Sequence, residues 1–146
     1  MTIANVFTTL EDGPLLDEAK RLAADERRAT AALVRALMEI DARRLYLGES
    51  CASMFTYCTQ VLHLSEGAAY NRIEAARAAA RFPLILELFE QSAITLTAVR
   101  LLAPHLTVDN HTEVLASARH KPKAHILPII AVLSPRPDAP LGLAQE

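Results

Sequence analysis

The stretch from Glu49 to Pro83, ESCASMFTYCTQVLHLSEGAAYNRIEAARAAARFP, predicts two helices joined by a tight turn. Its first half places apolar side chains at helical rather than alternating spacing, at Met54, Tyr57, Cys58, Val61 and Leu62. Ser50 or Ser53 can cap this first helix. The second half is dense in alanine, the best helix former, and it should end before Pro83, because proline disfavours helical backbone in the residue that precedes it.

Ser65 marks the start of the second helix. A serine hydroxyl can accept a hydrogen bond from a free N–H of the first turn, and the carboxylate of Glu66 suits the positive end of the helix dipole. Only about three residues, His63 to Ser65, separate the two helices. Such a short link forces a sharp crossing, as in the helix-turn-helix unit that places its second helix in a DNA major groove.

The second helix has two predicted faces. An apolar stripe is formed by Ala69, Ile73, Ala76 and Ala80, and the opposite face by Tyr70, Asn71, Glu74, Arg77, Ala78 and Arg81. Asparagine and arginine are the usual readers of adenine and guanine, so the candidate DNA contacts are Tyr70, Asn71, Arg77 and Arg81. Glu66 and Glu74 argue against DNA, because their carboxylates repel phosphate. Two helices joined by a short turn also occur in helical proteins that touch no nucleic acid.

Composition predicts one all-α domain. The chain has 146 residues, enough for one core, and its 51% hydrophobic content excludes a disordered chain. Only four glycines and no tryptophan stand against abundant alanine and leucine. A net charge of −2 and a pI near 6.2 are not typical of proteins that coat nucleic acid. Residues 20 to 44, however, carry seven basic and four acidic side chains, a local charge of +3.

A long first helix is predicted from Leu15 to about Leu47, where Gly48 is a natural stop. It would be about 45 Å long, which exceeds what a small domain needs. It could therefore project from the body or pair with a second copy, or it could be an ordinary core helix with a solvated basic face. Residues 1 to 13 are predicted to form a flexible lead-in, and residues 14 to 133 the all-α domain.

Four shorter helices complete the predicted domain of six or seven helices: residues 84 to 91, a helix from a Thr95 or Thr97 cap to Pro104, a helix from a Thr107 cap to Arg119, and residues 124 to 133. Pro128 lies inside the last of these and is expected to kink or break it. Residues 134 to 146 contain three prolines within six residues and are predicted to be a linker or tail.

Cysteine spacing and hydropathy predict a cytoplasmic protein. Cys51 and Cys58 are two helical turns apart, about 10.5 Å along the axis, which is too far for a disulfide. Buried free thiols in a reducing compartment are therefore expected. No basic and then apolar signal opens the sequence, and no apolar run reaches the length of a membrane span, so we expect no membrane partner.

Metal and catalytic motifs are not found in the sequence. Structural zinc sites use close pairs such as C-x2-C or H-x3-H, whereas Cys58 and His63, like His120 and His125, are five residues apart. No glycine-rich phosphate loop and no G-x-S-x-G motif is present. We therefore expect no metal, no cofactor and no enzymatic activity.

Three blocks of the sequence resemble the N-terminal helical region of a bacterial HNH endonuclease family. They are FTYC at 55 to 58, LHLSEGAAYNRIEAAR at 62 to 77 with its continuation to RFP at 81 to 83, and LT at 96 to 97 through LAPHLT at 102 to 107. The similarity covers about residues 27 to 140 and implies DNA handling. In that family a linker and a metal-dependent nuclease module follow.

The sequence departs from the family in two places. It ends where the nuclease module would begin, so the histidine and asparagine residues that bind metal and activate water in the family are missing. The apolar run ILPII at 126 to 130 stands where a charged amphipathic helix would be expected. The chain is then either a natural short relative or a truncated reading frame.

The sequence therefore predicts a non-catalytic DNA-binding helical module, and the alternative is a protein-interaction domain that forms a homodimer through its long first helix. One observation separates the two functions. A continuous basic face that joins the first helix to Arg77 and Arg81 favours DNA, whereas a bare apolar stripe on the first helix favours a protein partner.

Overall fold

Seven α-helices and no strand occur within residues 5 to 133, the part of the chain that the computed structural model describes. They are α1 (Asp12–Arg43), α2 (Met54–Thr56), α3 (Glu66–Arg81), α4 (Leu84–Glu90), α5 (Leu96–Leu102), α6 (His111–Ala118) and α7 (Lys123–Leu133). The predicted all-α class is confirmed. The predicted tail, residues 134 to 146, lies outside the described residues, as do residues 1 to 4 of the predicted lead-in.

The first helix begins three residues earlier than the sequence predicts. Asp12 is its first residue, so the last two residues of the predicted lead-in are helical. Pro14 is tolerated there because the N–H groups of the first turn have no partner within the helix. A short 3-10 turn, Val6–Thr9, precedes α1, and the side chain of Asn5 caps it by accepting from the Phe7 N–H. The described part of the predicted lead-in is therefore largely helical.

The end of α1 also differs from its predicted place. The helix ends at Arg43 rather than near Leu47, because Arg44 takes a left-handed backbone conformation with φ of 53°. Its N–H bonds to the carbonyls of Asp41 and Ile40, which closes the helix. A 3-10 segment, Leu45–Glu49, follows. Glycine is the usual residue at the end of a helix, so an arginine at this position did not predict that the helix ends here.

The two central helices follow their predicted caps. The Ser53 hydroxyl accepts from the Thr56 N–H at 3.1 Å and starts α2, which continues as a π-helical turn, Tyr57–Val61. Ser50 is not the cap. The Ser65 hydroxyl accepts from the Ala68 N–H at 3.2 Å and starts α3. That helix ends at Arg81, as predicted from Pro83.

The centre of the domain is α3, which packs against α1, α2, α4 and α5. Its buried side chains are Ala69, Ile73, Ala75, Ala76, Ala78 and Ala79. The predicted faces were wrong at two positions. Ala80 of the predicted apolar stripe is exposed, and Ala78 of the predicted opposite face is buried. A helix enclosed by neighbours on several sides buries a wider arc than one stripe, and small side chains let those neighbours approach closely.

The two halves of α1 have different surroundings. In the second half Ala31, Val34 and Leu37 are buried against the rest of the domain. The first half is exposed along nearly its whole length, including the side chains of Leu16 and Leu22. One half of α1 is therefore a core helix, and the other half is exposed beyond the packed body.

The last two helices differ in detail from prediction. The helix α6 begins at His111 and not directly after the predicted Thr107 cap. The Asn110 side chain accepts a hydrogen bond from the Thr107 N–H and donates one to the His105 carbonyl, and these two bonds hold a turn before the helix. Pro128 lies inside α7 without ending it. Ile126 is fully buried and α7 packs against α5 and α6, so tertiary packing offsets the lost hydrogen bond.

Candidate functional site

The outer face of α3 carries three of the four predicted DNA contacts. Tyr70, Glu74, Arg77 and Arg81 follow one another at intervals of three or four residues, so they lie on one side of the helix. Tyr70, Arg77 and Arg81 are exposed there, and Glu74 is half-buried. We refer to these four residues as the outer face of α3.

Asn71 does not belong to this face. It lies about 100° around the helix from Tyr70, in line with Ala75 and Ala78, which are both buried. Its side chain is accordingly half-buried at the flank of the helix. Asn71 was predicted to lie on the open face. That prediction was wrong because helical spacing alone does not show how much of the circumference of α3 its neighbouring helices cover.

Arg77 is engaged with a carboxylate of α1. Its Nε donates to Asp41 Oδ2 at 3.1 Å and its Nη2 lies 3.4 Å from Asp41 Oδ1. This hydrogen bond to Asp41 raises the pKa of the Arg77 guanidinium above its usual value. Arg77 thus links α3 to α1, and a phosphate would have to compete with Asp41 for it.

Arg81 is held by an aromatic stack at the end of α3. Its guanidinium carbon lies 4.8 Å from the centre of the Phe82 ring. The Phe82 ring in turn stacks on His111, with 4.7 Å between the ring centres. The positive charge of Arg81 therefore lies beside an aromatic ring that itself packs against α6.

A depression of about 320 Å³ runs beside the outer face, between α3 and the start of α2. Phe55 and Tyr70 give it an aromatic rim, and Glu74 and Arg77 give it opposite charges. Two arginines on the outer face are balanced by Glu74 and by Asp41 beside Arg77. The face therefore has little net attraction for phosphate, the term that dominates DNA affinity.

The basic residues of α1 do not form a continuous positive surface. Four of its arginines are in ion pairs with carboxylates: Arg21 with Glu18 and Asp25, Arg28 with Asp25, Arg35 with Glu90, and Arg43 with Glu39. The exposed side chains of this helix include Leu15, Leu16 and Leu22 as well as Lys20 and Arg27. The continuous basic face that would join α1 to Arg77 and Arg81 is therefore not found within residues 5 to 133.

Sequence reasoning missed a cavity of about 360 Å³ on another side of the domain, lined by both polar and apolar side chains. Arg27 of α1 and Arg72 of α3 line it together with the connection from α4 to α5. Arg27 and Arg72 are 45 positions apart in the chain, and no sequence motif joins them. Only the packing of α1 on α3 and α4 brings them together.

Both cysteines are free and buried, as predicted, and burial raises the pKa of the Cys58 thiol. Within residues 5 to 133, no group of three or more histidine, cysteine, aspartate or glutamate side chains is arranged to hold a metal ion. None of the described helices has the length and apolar character needed to cross a membrane.

The similarity to the helical region of HNH endonucleases stays a prediction from the blocks at residues 55 to 58, 62 to 83 and 96 to 107. A comparison of the chain with protein-family models, with curated proteins and with solved structures gives no match.

Proposed function

We propose that this chain is a non-catalytic interaction module that forms a homodimer through the first half of α1. One observation carries this proposal: Leu16 lies on the side of α1 that packs into the core, but beyond the packed body, where it is exposed. Leu16 and Val34 are 18 residues apart, which is five full helical turns, so they lie on the same side. Val34 is 0% exposed, whereas Leu16 is 63% exposed.

Leu16 is not the only exposed apolar side chain in this part of the protein. Leu15 and Leu22 are also exposed on this half of the helix, about 100° and 120° around it from Leu16, and the preceding 3-10 turn adds Val6 and Phe7, both exposed. Stable protein interfaces bury at least about 1,200 Å² in total. Several large apolar side chains exposed within one segment favour an interaction site.

The charges along α1 favour an antiparallel pair of identical helices. Residues 11 to 18 contain four acidic side chains and no basic one, a charge of −4. Residues 20 to 28 contain four basic and two acidic side chains, a charge of +2. An antiparallel pair sets the acidic segment of one copy against the basic segment of the other, whereas a parallel pair opposes like charges. Complementary charge of this kind selects the partner and its orientation.

The dimer can be tested by sedimentation velocity over a range of micromolar concentrations. We expect the wild-type chain to sediment as a dimer, and the double variant Leu16→Glu, Leu22→Glu to sediment as a monomer with an unchanged helical circular dichroism spectrum. Leu127→Glu is the matched control, because Leu127 is an exposed leucine on α7. A wild-type chain that stays monomeric at every concentration would show that the apolar surface of α1 does not pair with itself.

A second candidate function is binding of duplex DNA along the outer face of α3. It is favoured by the short turn between the two central helices and by the exposure of Tyr70, Arg77 and Arg81 on one face. The resemblance to the HNH endonuclease family points the same way. Because the net charge is −2, binding should be weak and local, with non-specific dissociation constants of about 10⁻⁴–10⁻⁶ M.

Salt-titrated fluorescence anisotropy on a labelled duplex tests this function. If Arg77 and Arg81 each neutralise one phosphate, replacing both with alanine should reduce the slope of log K against log salt by roughly two. Arg28→Ala reports whether α1 shares the surface. If the wild type shows no binding even at low salt, DNA binding through α3 is ruled out. We further propose a cytoplasmic location, on the basis of the two buried free thiols.

A further inference from the structure

The cavity between α1, α3 and the α4–α5 connection has the size and lining of a small ligand site. Its volume of about 360 Å³ lies within the usual range of ligand pockets. The polar groups around it come from three separate segments: Arg27 and Thr30 of α1, Arg72 of α3, and Ser92, Thr95 and Thr97 after α4.

The two arginines differ from most of the arginines on α1, because neither forms an ion pair within residues 5 to 133. Arg27 Nε donates to Ser92 Oγ at 2.9 Å, and Arg72 Nη1 donates to the Ala68 carbonyl at 3.2 Å. A guanidinium has five N–H donors, so most donors of both side chains are still available. Arg72 is half-buried, where an unpaired charge is costly unless a counter-ion joins it.

Two hydroxyl groups add further donors. Ser92 Oγ accepts from Arg27, and Thr95 Oγ1 accepts from the Ala98 N–H at 3.1 Å. Each of these hydroxyls therefore keeps its own O–H free to donate. Thr30 is different, because its hydroxyl already donates to the Glu26 carbonyl.

We propose that this cavity binds a phosphate group. Guanidinium groups match phosphate oxygens in geometry and charge, and a tetrahedral phosphate can accept from donors that surround it on three sides. A planar carboxylate has only two oxygens in one plane, which suits a single arginine better. Phe89, Ile94 and Leu96 form an apolar part of the wall and can contact the ester portion of a ligand.

Glu26 also lines the cavity, and its carboxylate opposes an anion. Together with Arg27 and Arg72 it leaves a local charge of +1. This opposition gives the proposal a specific consequence: removing the negative charge of Glu26 should strengthen phosphate binding, whereas removing either positive charge should weaken it.

Isothermal titration calorimetry with inorganic phosphate, at an ionic strength held constant with chloride, tests the site on the full chain. We expect saturable binding that Arg27→Gln and Arg72→Gln each weaken about tenfold or more. Glu26→Gln should tighten it. Arg100→Gln is the matched control, because Arg100 is an exposed arginine on α5 that does not line the cavity.

Two results would overturn the proposal: no saturable heat with the wild type, or an equal loss in Arg100→Gln and Arg27→Gln. Arg27 is exposed, so Arg27→Gln decides the matter even if Arg72→Gln fails to fold. The monomeric variant Leu16→Glu, Leu22→Glu should bind phosphate as the wild type does, which separates this site from the dimer.

Competition identifies the source of the phosphate. Ribose 5-phosphate and a short DNA duplex are compared as competitors of inorganic phosphate at equal total phosphate. Displacement by ribose 5-phosphate would support a small phosphate ester as the ligand. Displacement by the duplex alone would support a phosphate of a nucleic-acid backbone in the same cavity.

Discussion

Replacing Leu37 with alanine should lower the free energy of unfolding by about 2–5 kcal/mol. The Leu37 side chain is 0% exposed, in the half of α1 that packs against α3 and α4. Alanine loses the transfer free energy of the removed atoms and leaves a cavity between helices that cannot fully close. Urea denaturation at a dilute protein concentration measures the change as a shift of the midpoint with an unchanged slope.

Leu22→Ala is the matched control, since it removes the same atoms from the same helix. Leu22 is 42% exposed, in the half of α1 that extends beyond the body. Its replacement should change the stability of the monomer by about 0.5 kcal/mol or less. Equal losses in the two variants would mean that the first half of α1 is packed against the domain and is not free to pair.

Ile73→Ala should have an effect of similar size, about 2–5 kcal/mol. Ile73 is 6% exposed and is the only large side chain among the buried positions of α3. Its buried neighbours on this helix are alanines, whose methyl groups are too short to fill the space that the isoleucine leaves. Thermal or urea unfolding of the purified variant measures the loss.

Asn71→Ala, two positions earlier, provides the comparison. The Asn71 side chain is half-buried and has no hydrogen bond within the described part of the chain, so its replacement should cost about 0.5 kcal/mol or less. If Ile73→Ala and Asn71→Ala melt at the same temperature, the assignment of buried and open sides of α3 is wrong.

The ends of the central helices were predictable because they depend on neighbouring residues. Ser53 and Ser65 cap α2 and α3 through hydrogen bonds to N–H groups three residues later. Pro83 restricts the backbone of Phe82 and so ends α3 one residue before it. Sequence and structure agree at these positions, since no distant segment takes part in the interaction.

Local signals failed where tertiary packing competes with them. Pro128 was expected to kink or break its helix, but α7 does not end there, since the buried Ile126 and the contacts of α7 with α5 and α6 stabilise the helical turn around it. The end of α1 at Arg43 depends on a left-handed conformation of Arg44, and the sequence has no glycine at this position that would have predicted it. In both cases the local structure depends on interactions that the neighbouring residues in the sequence do not reveal.

Local residue patterns were enough to predict the all-α class, both ends of α3 and the free state of Cys51 and Cys58. The open sides of α3 and the chemical surroundings of its arginines depend instead on helices that are distant in the chain. Arg77 bonds to Asp41, which is 36 positions earlier in the chain, and Arg72 shares a cavity with Arg27. Helical periodicity shows which residues share a side, but it carries no information about which distant helix covers that side.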